Sequence, residues 1–230
     1  MSCFVTFGGI ENCGKGTQIG FLEQYLRGLE VPYVVAREPG GTAYGEAERL
    51  ISKHPVEAYT ALAEFFEEYR DFRDFDVRQE RGRVAEMFSF LAARAEFVEK
   101  VVGPALDRGV WVIADRFDHC TEAYQGGGLF WGDEEAARLI RDANAFITRT
   151  HRPVLSFILD VDVDESLRRG GMPEDVIESR PKEYFERVRH AYRGIALGNR
   201  ERYVLVDGMH PPEVVWSEGV LPGIERLLGS

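Results

Sequence analysis

The chain has 230 residues, of which 44% are hydrophobic, and its formal net charge at pH 7 is −11. This length predicts one α/β domain over residues 1–230, and the acidic balance argues against a nucleic-acid partner while allowing a local basic pocket for a small phosphate compound. Three scattered cysteines support neither disulfides nor structural zinc, and no apolar run approaches the ~20 residues of a membrane span, so we expect a protein of the reducing cytosol without a membrane partner.

A glycine-rich loop follows the first apolar run and precedes a helical pattern. Its residues are Gly9, Ile10, Glu11, Asn12, Cys13, Gly14, Lys15, Gly16 and Thr17. The spacing G-x-x-x-x-G-K is typical of a phosphate-binding loop, because glycines let backbone N–H groups turn inward and lysine adds positive charge at a helix N-terminus. The hydroxyl residue that usually follows the lysine is displaced to Thr17, so we expect the Mg²⁺ contact from Thr17, from a carboxylate or through water.

The second apolar run, residues 33–36, predicts a strand that ends at Arg37 and Glu38. Ligands of open α/β sheets bind beyond the carboxyl ends of the strands, so these two charged side chains are candidate substrate-binding residues. The Pro-Gly-Gly sequence at 39–41 is explained equally well by turn formation.

Residues 56–83 carry aromatic and charged residues at helical spacing and predict an extended amphipathic segment. Its apolar stripe either packs on the domain or forms a subunit interface or a cover over the site. A further helix, buried on more than one side, is predicted from about 84 to 106. Within this helix, Phe90 and Arg94 lie one turn apart on the same face, so a base could stack on the Phe90 ring and bond to the Arg94 guanidinium. The alternative is that Phe90 belongs to the core and Arg94 lies on the surface.

A continuous apolar run at 110–114 predicts a strand buried on both faces, and it ends at Asp115 and Arg116. A carboxylate and a guanidinium at this end of a strand indicate Mg²⁺ and phosphate binding, with a structural ion pair as the alternative. The stretch at 123–128 is compatible with a flexible loop and nothing more.

The remaining chain continues the alternation, with helices predicted at 133–146, from 181 onwards and at 213–228, and strands at 154–159 and 203–208. Arg168, Arg169 and two glycines interrupt the helical periodicity. A basic excursion over about 168–182 suits a small mobile lid over phosphates, and an ordinary exposed turn is the alternative. Five strands alternating with helices predict a three-layer α/β/α fold of the P-loop NTPase kind with a five-stranded parallel sheet.

Taken together, these motifs resemble those of the thymidylate kinase family of nucleoside monophosphate kinases. The matching segments follow the family's order over most of the chain: 9–17, 37–42, 90–94, 115–117, 123–126, 159–162 and 185–189. The resemblance implies phosphorylation of dTMP to dTDP by ATP with Mg²⁺ in the cytoplasm, and it suggests a homodimer.

The resemblance also implies residue roles. The phosphates of ATP would contact Lys15 and Thr17, the metal would be held by Asp115, and Arg116 would hold the acceptor phosphate. The other residues implied for the acceptor are Glu11 near its sugar and phosphate, Phe90 stacked on the base, Arg94 bonded to it, Tyr124 at the sugar 2′ position, and Thr121 and Gln125 along the pocket.

Several positions depart from the family pattern. Glu11 stands where aspartate is usual, Gly8 where glutamate is frequent, and Cys120 and Thr121 where a serine pair is common. Asn12 leaves the glycine loop without an arginine, so the lid is expected to supply one. The candidates are Arg168, Arg169 and Arg180.

Three other functions compete with this prediction. One is a related kinase acting on another nucleoside monophosphate, such as an adenylate-kinase-like enzyme, and another is a nucleotide-binding regulator without turnover. A GTPase switch would need an N-K-x-D guanine signature, which is absent from the sequence. The presence of Lys15, Asp115 and Arg116 favours catalysis.

Overall fold

A computed structural model of the chain describes residues 2–65 and 81–229. Its centre is a parallel sheet of five strands in the order β2-β3-β1-β4-β5. The strands are β1 (Phe4–Gly8), β2 (Tyr33–Arg37), β3 (Trp111–Asp115), β4 (Leu155–Asp160) and β5 (Tyr203–Asp207). The predicted α/β fold is confirmed, and within the two described ranges no helix is long and apolar enough to cross a membrane.

Helices cover both faces of the sheet. They are α1 (Lys15–Gly28), α2 (Ala43–Lys53), α3 (Pro55–Phe65), α4 (Arg83–Phe97), α5 (Gly103–Asp107), α6 (Asp118–Thr121), α7 (Glu134–Ile147), α8 (Val163–Arg169), α9 (Lys182–Gly198), α10 (Pro212–Val214) and α11 (Leu221–Leu228). In the described part of the chain, three π-helical stretches extend α4, α6 and α10, at Val98–Val102, Glu122–Leu129 and Val215–Val220.

The central strands are apolar throughout because both faces of the sheet are covered. On one face, the rings of Phe7 and Phe157 stack with centroids 5.2 Å apart. On the other, Phe4 meets the ring of Phe117 edge-on at 4.8 Å. The strands therefore hold their carboxyl ends in fixed positions at one edge of the core, where the candidate site residues lie.

The glycine-rich stretch at 123–128 is helical, so its interpretation as a flexible loop is wrong. It belongs to the π-helical stretch Glu122–Leu129, which packs against α9. A Cβ on Gly127 would lie 2.3 Å from the Cβ of Ala191, and one on Gly128 would lie 2.4 Å from the ring of Tyr184. The glycines therefore permit close helix packing rather than flexibility.

Other predicted elements need smaller corrections. The helical segment predicted at 56–83 is described at residues 56–65, which belong to α3, and at residues 81–83, of which Arg83 begins α4. Residues 66–80 of that prediction lie outside the described residues. Helix α2, directly after the second strand, was not predicted at all. Helix α4 is buried on fewer sides than expected, because Phe88 is 49% exposed.

Candidate active site

The glycine loop connects β1 to α1 through backbone conformations that favour glycine. Gly9 and Gly14 have φ values of 133° and 96°, and Asn12 has a φ of 54°. A Cβ on Gly9 would lie 2.5 Å from the Leu159 carbonyl oxygen. The loop therefore lies directly against the end of β4, with its chain folded as an anion-binding loop requires.

Lys15 begins α1 and points its ammonium group back into this loop. Its Nζ donates to the carbonyl oxygen of Ile10 at 2.9 Å, and the residue is 8% exposed. Gly16 and Thr17 follow on the first turn and are exposed. The loop thus holds a buried cation beside the positive end of a helix, a combination that attracts phosphate.

Glu11 joins the glycine loop to Arg116 and Tyr124. Its carboxylate accepts a hydrogen bond from Arg116 Nη2 at 2.9 Å and another from the Tyr124 hydroxyl at 2.6 Å. The Arg116 guanidinium lies 5.0 Å from the centroid of the Tyr124 ring. These three predicted site residues therefore form one connected group.

Burial and charge alter the acid–base properties of this group. Burial raises the pKa of the Tyr124 hydroxyl well above its usual value, and the Glu11 carboxylate contributes in the same direction. Burial lowers the pKa of Arg116, but the neighbouring Tyr124 and Glu11 more than offset this, so the net pKa is raised. Arg116 therefore stays protonated and provides a permanent positive charge beside the glycine loop.

A cleft opens next to this group, between the carboxyl ends of the strands and the helices that follow them. It brings together eight of the nine residues predicted to bind substrate: Glu11, Glu38, Phe90, Arg94, Arg116, Thr121, Tyr124 and Gln125. Arg37 is the ninth, and it does not line the cleft. Its guanidinium instead pairs with Glu46 at 3.2 Å on the surface.

Several cleft residues were missed by the sequence analysis. Arg49 and Lys53 come from α2, Ile177 comes from the lid, and Cys120 is the first residue of the pair that departs from the family pattern. Two basic residues four positions apart share a helix face, and this spacing was the available signal for Arg49 and Lys53. They add positive charge to a cleft in an acidic protein.

Arg94 is 2% exposed, so its interpretation as a surface arginine beside a core Phe is wrong. Its Nε and Nη2 donate to one Glu38 oxygen at 2.9 and 2.7 Å. Nη1 donates to Thr121 and Asn144, and Nη2 also donates to the Phe117 carbonyl. All five guanidinium N–H groups thus have acceptors within the chain.

Glu38 is the buried partner of Arg94. Burial raises the pKa of its carboxyl, and Arg94 only partly offsets this effect. Its second oxygen, Oε1, has no hydrogen-bond partner among the residues that the structure describes. A cleft-lining carboxyl oxygen without a partner is a candidate contact for a polar ligand atom.

We expect Arg94→Met to destabilise the fold by about 3–5 kcal/mol, because it leaves the Glu38 carboxylate buried without its cation. Urea unfolding followed by circular dichroism measures this. The matched control is the double variant Glu38→Gln/Arg94→Met, which removes the orphaned charge and should recover at least half of the loss. A single variant within about 1 kcal/mol of the parent would contradict the prediction.

Asp115 ends β3 beside the last residue of β2, and one of its carboxyl oxygens is buried. That oxygen, Oδ1, lacks a hydrogen-bond partner within the described ranges. Across those ranges no group of three or more His, Cys, Asp or Glu side chains is arranged to hold a metal. A nucleotide-bound Mg²⁺ needs only one or two carboxylates besides phosphates and waters, so the donor set fits such an ion.

The lid was predicted over about 168–182, but Arg168 and Arg169 form the last turn of α8 and do not interrupt the helix. The segment between α8 and α9, residues 170–180, is docked onto the helices that line the cleft. Lys53 pairs with Asp175 at 2.5 Å, and the Val176 N–H donates to the Lys53 carbonyl at 3.2 Å. Arg180 pairs with Glu86 at 2.6 Å, and Gln125 also donates to Glu86 at 3.1 Å. Glu86, which was not predicted, therefore connects the lid to a cleft-lining residue.

The predicted lid arginines all have partners in this conformation. Arg168 donates to the Glu165 carboxylate at 2.6 and 2.7 Å, and its side chain is 73% exposed. Arg169 bonds to the same carboxylate and to the Gly208 carbonyl. Arg180 bonds to Glu86 and, at 2.6 Å, to the Tyr184 hydroxyl. Arg168 is the most exposed of the three and the one least restricted by packing.

The comparisons with known proteins all match proteins described as thymidylate kinases. The family model described as "Thymidylate kinase" matches residues 59–218. The thymidylate kinase of Fervidobacterium nodosum is 36% identical over 216 residues, which is 94% of this chain and 95% of that protein. The thymidylate kinase of Carboxydothermus hydrogenoformans is 33% identical over 225 residues, or 96% and 97% of the two chains. A crystal structure of thymidylate kinase from Ehrlichia chaffeensis has a TM-score of 0.64 and 27% identity, covering 99% of this chain and 98% of that chain.

Proposed function

The chain belongs to the thymidylate kinase family, and from this premise we propose how its residues bring ATP and dTMP together. The protein is a phosphotransferase that converts dTMP to dTDP with ATP as the phosphate donor. We propose that the glycine loop holds the ATP phosphates and that the cleft holds dTMP.

One observation carries this proposal: Glu11 belongs to the glycine loop and also lines the cleft. Its bonds to Arg116 and Tyr124 keep a partly buried cation at the boundary between the two sites. Phosphoryl transfer requires the donor and acceptor oxygens to approach in line, with positive groups around the transferred phosphoryl group. Lys15 on the donor side and Arg116 on the acceptor side support such an arrangement.

On the donor side, we propose that Asp115 and Thr17 hold a Mg²⁺ ion together with the ATP phosphates. The unpartnered Asp115 Oδ1 and the exposed position of Thr17 on the first turn of α1 support this. When bound, Mg²⁺ would neutralise charge on the phosphate oxygens. The Lys15 ammonium would release its hydrogen bonds to the loop carbonyls and donate to the phosphate oxygens instead, because charged oxygens are stronger acceptors.

On the acceptor side, we propose that Phe90 stacks on the thymine and that Tyr124, Gln125 and Thr121 surround the nucleoside. Because all five Arg94 donors are already engaged, Arg94 bonds to the base only by releasing a present partner such as Thr121. Arg94 also fixes Glu38, whose unpartnered oxygen supports a direct contact with a polar base atom. Arg116, with Arg49 close by in the cleft, would hold the acceptor phosphate.

We expect dTMP to be the preferred acceptor, with a kcat/KM at least about tenfold above those of AMP and CMP. The physical reason is that a cleft lined by Phe90, Arg94 and Tyr124 suits a thymine base and a sugar without a 2′-hydroxyl. A coupled ADP-release assay over a panel of nucleoside monophosphates measures this. A higher kcat/KM for AMP or CMP would overturn the acceptor assignment, and absence of turnover with every acceptor would favour a nucleotide-binding regulator.

We also propose a homodimer and a cytoplasmic location. Leu62 on α3 and Val84 and Phe88 on α4 are 42%, 56% and 49% exposed, and such apolar surface favours a second copy as partner. All three cysteines are free thiols, as in proteins of a reducing compartment.

A further inference from the structure

Glu86 belongs to the same face of α4 as two cleft residues, although the phosphoryl transfer assigns it no role. It lies four residues before Phe90, which lies four before Arg94, so the three side chains follow one another at intervals of about one turn. Phe90 and Arg94 line the cleft, whereas Glu86 is 4% exposed and does not line it. A buried carboxylate in this row needs partners, and the partners indicate what it does.

The two oxygens of Glu86 have different partners. Oε2 accepts a hydrogen bond from Arg180 Nη2 at 2.6 Å and lies 3.4 Å from Arg81 Nη2, so two guanidinium groups meet at this atom. Oε1 accepts a hydrogen bond from Gln125 Nε2 at 3.1 Å. Donors therefore face both oxygens, and a carboxylate, which only accepts, suits both sides at once.

The carboxylate of Glu86 fixes the orientation of the Gln125 carboxamide. A side-chain amide carries an accepting oxygen on one side and a donating NH2 group on the other, and only the NH2 group can bond to a carboxylate oxygen. The carboxamide oxygen of Gln125 and its second N–H are therefore left for the cleft, which Gln125 lines. At this position the cleft gains a hydrogen-bond acceptor.

The main chain around Gln125 is held by hydrogen bonds as well. Its carbonyl oxygen accepts from the Phe130 N–H at 2.8 Å, and the preceding carbonyl, that of Tyr124, accepts from the Tyr184 hydroxyl at 2.9 Å. Even on a fixed backbone, a buried carboxamide can turn by half a turn, because the exchange of its oxygen and nitrogen hardly alters its shape. The bond to Glu86 opposes this turn.

We propose that Glu86 is a positioning residue that sets the base preference of the acceptor site, because it holds the Gln125 carboxamide with its oxygen toward the cleft. This inference rests on the proposed function, since it requires the cleft to hold the base of the acceptor. Thymine N3 carries a hydrogen and donates, whereas cytosine N3 is a bare acceptor. An oxygen at this position therefore favours thymine, and an NH2 group would favour cytosine.

The direct test is Glu86→Gln, which keeps the shape of the side chain and changes its hydrogen bonding. The two guanidinium groups require an oxygen where Oε2 now lies, so the NH2 group of the new side chain must face Gln125. The Gln125 carboxamide then has to turn, which brings its own NH2 group to the cleft. We expect the ratio of kcat/KM for dTMP to that for dCMP to fall at least about tenfold, as coupled ADP release with each acceptor measures.

Two further variants separate positioning from a general loosening of the cleft. Glu99→Gln is the matched control, because Glu99 is exposed in the π-helical stretch after α4 and lies outside the cleft, and its ratio should stay within about twofold of the parent. Gln125→Ala has no carboxamide to turn and should itself lower the ratio at least about fivefold. Adding Glu86→Gln to Gln125→Ala should then change the ratio by less than about twofold.

Circular dichroism shows whether each variant is folded. The proposal is overturned if folded Glu86→Gln keeps the parental ratio, even with lower turnover, or if Glu86→Gln lowers the ratio equally with and without Gln125. Should Glu86→Gln not fold, Gln125→Ala decides alone, since a parental ratio in that variant overturns the proposal as well. The proposed function is judged separately, by turnover of dTMP in the unsubstituted protein, which these outcomes leave unchanged.

Discussion

Lys15→Ala is expected to lower kcat by at least about 10³-fold while leaving the fold intact. The Lys15 ammonium is the buried cation of the glycine loop. In this structure it donates to a carbonyl oxygen of the same loop, that of Ile10, at 2.9 Å. In the reaction it would neutralise negative charge on the transferred phosphoryl group, and alanine supplies no charge there. The hydrogen bonds of the Lys15 ammonium go to Gly9, Ile10 and Cys13 of its own loop, so removing it should not unfold the domain.

The measurement combines kcat from coupled ADP release with circular dichroism and thermal unfolding. Lys100→Ala is the matched control, because Lys100 is an exposed lysine in the π-helical stretch after α4 and lies outside the cleft. The control should remain within about twofold of the parent. A Lys15→Ala protein with near-normal turnover would remove the glycine loop from the mechanism.

Removing one of the lid arginines, Arg168, Arg169 or Arg180, is expected to lower kcat by about a hundredfold or more. The glycine loop has Asn12 and no arginine, so a transition-state cation must come from another part of the chain. Arginines that supply such a charge are worth about 10³ to 10⁵ in rate in related phosphoryl transfers. Arg168 is the favoured candidate, since its partner is a single glutamate and most of its side chain is exposed.

Each arginine is replaced singly by alanine, and kcat is measured at saturating ATP, dTMP and Mg²⁺. Arg138→Ala on α7 is the control, because Arg138 is an exposed arginine and a solvated charge should barely affect the rate. If all three variants stay within a few-fold of the parent, none of these arginines supplies the transition-state charge and the lid mechanism fails.

Arg180 needs a second readout because it also has a structural role. It pairs with Glu86, a buried residue that contacts the cleft residue Gln125. Loss of Arg180 could therefore loosen the docked lid and raise the KM for dTMP without removing a charge from the transition state. A large fall in kcat with unchanged thermal stability would identify a direct role, whereas a raised KM with unchanged kcat would identify a positioning role.

The glycine loop and the strand ends were predictable because their signals are local. The G-x-x-x-x-G-K spacing follows one apolar run and precedes one helical pattern, and the charged pairs at Glu38 and Asp115 directly follow apolar runs. Parallel strands bring their carboxyl ends to one edge of the sheet, so neighbouring strand ends imply a shared site. The five predicted strands and their parallel arrangement are confirmed on this basis.

The sequence predictions for individual residues were wrong where packing between distant elements decides the conformation or the direction of a side chain. The glycines at 126–128 resemble a loop in sequence, yet the approach of α9 makes them a helical packing surface. Arg37 and Glu38 are adjacent and were given equal weight, but consecutive residues at a strand end point in opposite directions. Glu38 consequently enters the cleft, whereas Arg37 pairs with Glu46 on the surface.

The sequence by itself determined the α/β class and the position of the glycine loop, because each depends on spacing within a few residues. Most of the residues that line the cleft were implied by the resemblance to the thymidylate kinase family. Only the tertiary structure decided that all five Arg94 donors bond within the chain. It also decided that Glu86 connects the lid to the cleft, and that the His119 imidazole occupies the space that Gly8 leaves. These contacts join residues that lie far apart in the sequence, as Gly8 and His119 do. Whether a polar side chain meets a partner, a ligand or solvent depends on which distant element packs against it, and local spacing carries no information about that.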